Sequence, residues 1–211
     1  RYLYHSGFCI EADEFAMVID YYNDECDGPR SIDKGVIDVD TLARPGAFYV
    51  LSSHVHPDHY VPKIFEWKQQ RPDINYIFSF DIHGHGPSEG VTYLNKGDYF
   101  DDGIVNIKAY GSTDEGISFL IKTGDKSIFH AGDLNNWHWN EICKPEEADI
   151  YEKNYLRELD KLVQDQKDLD LAMFPVDWRL GKDYSRGGGQ FMDAIKVDIF
   201  SPMHFADTYK S

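Results

Sequence analysis

Short apolar runs alternate with polar, glycine-rich breaks along this chain, and the spacing predicts strands first. Residues 2–5 and 8–11 flank Ser6-Gly7, and residues 15–20 form a nearly continuous apolar run ending on the carboxylate of Asp20. Residues 24–35 are rich in Asp, Gly and Pro and predict an exposed loop. Residues 47–51 and 74–78 read as buried strands, with a short helix expected over 62–70. Residues 105–110 alternate strictly, as a half-buried strand does. Residues 117–121 and 127–130 are strands joined by Thr123-Gly124-Asp125-Lys126, which has the chemistry of a hairpin turn.

The longest helix is expected over residues 146–167, where Ile150, Tyr155, Leu156, Leu159, Leu162 and Val163 form an apolar stripe opposite a solvated charged face. Residues 169–174 read as a buried strand, Gly187-Gly188-Gly189 as the opening of a loop, and 190–196 as a short helix. Residues 199–203 lead into His204. Many strands with interspersed helices imply α/β layering, in one domain over 1–211.

Composition narrows the class. A chain of 211 residues buries roughly 70% of its unfolded surface, enough for a sizeable core. No window approaches the ~20 apolar residues of a membrane span, so no membrane partner is expected. Cys9, Cys26 and Cys143 are odd in number and form no CxxC pair, which points to a reducing, cytoplasmic location. With 21 basic and 37 acidic residues the net charge is −16. Such a field repels phosphate backbones, and no basic run offsets it, so the expected partner is a small molecule and not a nucleic acid. The oligomeric state is left open.

The sharpest chemical feature is His54-Val55-His56-Pro57-Asp58-His59, four metal-ligand side chains in six residues. Two histidines two apart in an extended segment project to one side, so one divalent ion can take both imidazoles. Pro57 bends the chain and leaves Asp58 and His59 to face a second ion. Further along, His130-Ala131-Gly132-Asp133 presents a carboxylate at a strand tip, and Ser201-Pro202-Met203-His204 presents a histidine after an apolar strand.

In this order the residues resemble the metallo-β-lactamase-fold superfamily of metallohydrolases, whose pattern is His-x-His-x-Asp-His, then Gly-Asp, then a late His. The resemblance spans the chain from His5-Ser6-Gly7 to His204. It implies a four-layer αββα sandwich. His54 and His56 would hold a first metal, Asp58, His59 and His204 a second, with Asp133 between them. The stretch Pro175 to Gly181 and the early His5-Ser6-Gly7 are similar to lactonase-like hydrolases acting on small anionic esters.

One departure stands out. The family supplies a further histidine from a Gly-His-Thr-like turn, where this chain reads Gly111-Ser112-Thr113-Asp114. A hydroxyl is a poor zinc ligand, so either Asp114 replaces the imidazole or Ser112 and Asp114 merely cap the turn. Several residues take supporting roles by position. Asp20 and His130 are expected to orient ligands from behind. Trp137 and His138 either cover the core or line a substrate pocket. Asp177 and Arg179 either fix an anionic substrate or pair with each other. His83 and His85 read as a surface loop.

The expected activity is hydrolysis of a small, anionic ester, lactone or phosphoester. Metal ions would activate water, and Asp58 would orient it as the catalytic carboxylate. One or two divalent ions are expected, zinc by default, with manganese and iron fitting the same ligands. The alternatives are a nuclease of the same superfamily, which the charge disfavours, and a non-catalytic metal-binding sensor with a degenerate first site. An iron dioxygenase is disfavoured because such relatives need the missing turn histidine.

Overall fold

A run of residues buried on both faces of a sheet carries no polar alternation, and residues 15–20 show this. They become strand β3 (Phe15–Ile19), every side chain of which is buried. The computed structural model describes residues 1–206. Its backbone contacts gather into two units, Arg1–Asn95 and Lys96–Ser211.

The first unit holds a six-stranded sheet in sequential order: β1 (Tyr2–Tyr4), β2 (Gly7–Glu11), β3, β4 (Ala47–Ser52), β5 (Asn75–Ser79) and β6 (Val91–Leu94). The pairs β1/β2 and β2/β3 are antiparallel, and β3 to β6 run parallel. One sheet face carries Ala16, Val18, Phe48, Val50, Tyr76 and Phe78. These pack with Leu42 of helix α1 (Val39–Leu42) and with Ile64 and Trp67. The helix expected over 62–70 is a 3-10 helix over Pro62–Gln69. Buried Arg71 donates to the carbonyls of Leu42, Arg44 and Gly46 and lies over the Phe48 ring, so a charge in the core is paired with backbone oxygens.

The second unit mirrors this arrangement. Its sheet runs in the order β12-β11-β10-β9-β8-β7, with β7 (Tyr99–Asp101), β8 (Asn106–Gly111), β9 (Ile117–Thr123), β10 (Lys126–His130), β11 (Asp168–Pro175) and β12 (Lys196–Met203). Strands β7 to β10 are antiparallel, while β10, β11 and β12 are parallel. The expected hairpin joins β9 to β10, with Thr123 opposite Lys126.

Helix α2 (Pro145–Asp165) buries Tyr155, Glu158, Leu159 and Leu162, while Ile150 and Leu156 of the expected stripe are exposed. The triple glycine opens no loop. It lies within helix α3 (Arg186–Ala194), because a Cβ on Gly187 would sit 1.9 Å from the side-chain oxygen of buried Asn135. Close packing therefore selects glycine there, against its poor helix propensity.

Glu158 is buried and ion-paired with Lys96 and Lys161. Burial works to raise its pKa, but hydrogen bonds from both lysines prevail and hold it below the ordinary glutamate value. A carboxyl depressed in the folded state contributes stability above its unfolded pKa of about 4.3 and loses it as pH falls through the folded value. Glu158→Gln is expected to cost about 1–2 kcal/mol at pH 7 and to shrink the loss of Tm between pH 7 and pH 3. Thermal melts across that range check this; equal acid sensitivity in variant and wild type would contradict it.

Candidate metal centre

In open α/β sheets ligands collect beyond the C-terminal ends of parallel strands, and both units place their candidate residues there. In the first unit Asp20 follows β3 and Ser53-His54 follow β4. Asp20 is fully buried. Its carboxylate accepts from the Ser53 backbone N–H at 2.7 Å, the Ser53 hydroxyl at 2.7 Å and His59 Nδ1 at 2.8 Å.

The Ser53 hydroxyl has one proton and gives it to Asp20. Its contact of 3.0 Å with His54 Nδ1 is therefore one in which the imidazole donates. Both His54 and His59 then carry their proton on Nδ1, and each keeps its Nε2 lone pair for another partner. His54 Nε2 lies 3.0 Å from His56 Nδ1. Two nitrogens bound tetrahedrally to zinc at about 2.0–2.1 Å are roughly 3.3 Å apart, so the pair sits a little closer than two ligands of one ion and within hydrogen-bond reach.

The two histidines do not converge by strand alternation, as expected from sequence. They lie in a bend after β4, where Asp81 accepts from Val55 N at 2.9 Å, and the turn that follows, in which His59 and Tyr60 both donate to His56 O, folds His59 back toward His56. His5, in the turn between β1 and β2, has Nε2 3.3 Å from Asp58 Oδ2. That contact, with His59 nearby, holds the Asp58 carboxyl well below the ordinary range in spite of its partial burial. The sequence reading noted His5 within a motif but gave its side chain no role.

In the second unit the ligand candidates follow β10, β11 and β12. His130 Nδ1 accepts from Gly132 N, which shapes the turn carrying Asp133. Buried Asp177 accepts from His204 Nδ1 at 2.9 Å and from the backbone N–H and guanidinium of Arg179. Burial opposes the Asp177 charge, but these donors overcome it and hold the carboxyl well below the ordinary range. Asp177 and Arg179 thus pair with each other, and the same carboxylate also meets His204. His204 Nε2 lies 3.3 Å from Asp133 Oδ1. Trp137 donates to the Asp133 carbonyl at 2.9 Å, and its ring meets that of His204 edge-on at 5.5 Å.

Ser112 does cap its turn, accepting from Asp114 N at 3.3 Å. Asp114 and Asp133 nevertheless bring carboxylate oxygens within 4.8 Å of each other, a like-charge approach that a cation relieves. A cleft of about 200 Å³ opens here, lined among others by Asp114, Asp133, Trp137, Trp139, Tyr151 and Arg179. His138 is not part of that lining. It is fully buried, with its ring nitrogens against Asn140 N and Asp183 O. His83 and His85 are exposed, as a surface loop requires.

Asp20, through Ser53, sets two imidazoles at once. Asp20→Asn is expected to lower zinc affinity ten- to a hundredfold, measured by competition titration with a chelator. Wild-type affinity in a variant whose melt shows it folded would contradict the relay.

No family model matches the chain. A curated relative, a UPF0173 metal-dependent hydrolase from Desulforamulus reducens, is 24% identical over 224 residues, covering 97% of this chain and 82% of the relative. Among solved structures, the diiron β-hydroxylase CmlA from Streptomyces venezuelae aligns with a TM-score of 0.61 at 15% identity. The alignment covers 96% of this chain but 44% of that enzyme, so the chain spans less than half its length. The metallo-β-lactamase fold protein YhfI from Bacillus subtilis aligns with a TM-score of 0.59 at 12% identity, covering 96% of this chain and 78% of YhfI. Two six-stranded sheets, each part antiparallel and part parallel, and these structural likenesses agree: the chain is a metallo-β-lactamase-fold protein.

Proposed function

We propose that the protein is a metal-dependent hydrolase of a small, anionic ester, lactone or phosphoester. One or two divalent ions are expected, with His54, His56, Asp58 and His59 the ligand residues of the first unit and Asp133 and His204 those of the second, and with Asp114 standing where the turn histidine is missing. The observation that carries this reading is that each unit pairs a buried carboxylate with Nδ1 of a ligand histidine, Asp20 with His59 and Asp177 with His204. Metal-binding histidines are ordinarily oriented in this way. Imidazole and carboxylate donors fit zinc, and also manganese and iron.

The chemistry that a divalent ion would supply when bound by these residues is Lewis acidity, which would lower the pKa of a water and polarise the scissile carbonyl or phosphoryl oxygen. The chain's own residues do the rest. Asp58, beside His5 and His59, is the acceptor that orients a water and takes its proton. Arg179, anchored on Asp177 with its guanidinium 6.0 Å over the Trp139 ring, faces the anionic group of the substrate. Trp137, Trp139 and Tyr151 supply the apolar wall of the cleft. The curated relative, named a metal-dependent hydrolase, supports the reaction class. Among the described residues no helix is long and apolar enough to cross a membrane.

The test is metal-stripped protein reloaded with zinc, manganese or iron(II) and screened on lactone, thioester and phosphodiester panels. Hydrolysis of at least one class is expected, with His59→Ala and His204→Ala each losing metal and at least a hundredfold in turnover. A fully loaded wild type inert on every panel, or variants that keep both metal and activity, would overturn the proposal.

A further inference from the structure

His5 is the chemistry-bearing residue that the sequence pattern leaves unassigned, and it lies with Asp58 and His59. Ligand atoms of these three residues fall within 4.8 Å of one another. The His5 and His59 rings meet edge-on, centroids 5.8 Å apart at 79°. His59 Nε2 is 4.0 Å from Asp58 Oδ2 and His5 Nε2 is 3.3 Å from the same oxygen. A charge-assisted N–H···O hydrogen bond is usually about 2.7–2.9 Å. The observed 3.3 Å is closer to the separation of two ligands sharing one zinc ion, roughly 3.3 Å.

The local backbone is built to deliver this imidazole. His5 and Ser6 connect β1 to β2 between Tyr4 and Gly7, which pair. His5 has φ of +55°, a conformation that favours glycine and costs other residues roughly 1–2 kcal/mol. Gly7 is needed beside it, because a Cβ there would lie 3.0 Å from Tyr4 O and 3.1 Å from Asp20 O. The turn is thus pressed onto the backbone of the residue that orients His59. His5 itself is buried.

We infer that His5 is a further protein ligand, through Nε2, of the metal ion assigned to Asp58 and His59. The inference rests on the metal-dependent reading above and extends it. The ion at His54 and His56 lacks the family's turn histidine, whereas the ion at Asp58 gains an imidazole from the first hairpin. Ligand count then makes the Asp58 site the tighter of the two.

His5→Ala and His5→Gln test this against simple hydrogen bonding. Gln keeps an N–H donor for Asp58 but supplies no imidazole nitrogen. Chelator competition with zinc and the visible spectrum of the cobalt(II)-loaded protein give readouts independent of turnover, with thermal melts to verify folding. Both variants are expected to lose at least tenfold in zinc affinity at the tighter site and to shift the cobalt bands. Wild-type affinity and spectrum in His5→Gln, whatever His5→Ala does, would overturn the inference and leave His5 as a hydrogen-bond donor. If His5→Ala fails to fold, His5→Gln alone decides. A wild type that binds neither metal would instead overturn the metal-dependent reading, an outcome separate from the first.

Discussion

The candidate centre depends on one buried anion. Removing a carboxylate from water is costly unless donors replace its hydration, and Asp20 is fully buried. Three donors compensate it: a backbone N–H, a serine hydroxyl and an imidazole. Each is also a constraint on something else. The backbone N–H fixes the start of the His54 loop, the hydroxyl fixes the His54 tautomer, and the imidazole is that of His59. One unfavourable burial thereby fixes the orientation of two imidazoles. Asp20 also has φ of +48°, as His204 has +67°. Backbone strain gathers at the residues that hold and orient ligands, where the surrounding strands over-determine it.

The second unit reaches a similar result with different parts. Asp177 substitutes for Asp20, and the Arg179 backbone N–H and guanidinium take the places of the Ser53 backbone and hydroxyl donors. Because Arg179 also lines the cleft, the group that would meet an anion is the group that steadies the carboxylate behind His204. Changes at Arg179 are therefore coupled to the His204 orientation and do not report on substrate affinity alone.

Much of this was legible in the sequence because the signals are local. An apolar run ending on Asp20, four ligand types within residues 54–59, and Gly-Asp after a strand each depend on neighbours in the chain. What was not legible depends on distant contacts. The triple glycine reads as a loop until Asn135 shows why a helix needs it. His138 lies beside Trp137 in sequence but turns to the carbonyl of Asp183, 45 residues away. Ser53 looks like strand-end filler, although it links Asp20 to His54. Strands β6 and β7 are short and carry polar residues, so periodicity gave no signal for them. His5 carried a signal in its Ser-Gly context, but only the turn's positive φ explains why a histidine is there.

The measurement that bears most directly on the account is anomalous diffraction at the zinc edge from crystals of the zinc-loaded protein. The account predicts a peak within about 2.0–2.2 Å of His59 Nε2, with His59 Nδ1 still hydrogen-bonded to Asp20. A zinc ion bound through His59 Nδ1, with the Asp20 contact broken, would contradict it, as would a loaded crystal with no peak at bonding distance from His59.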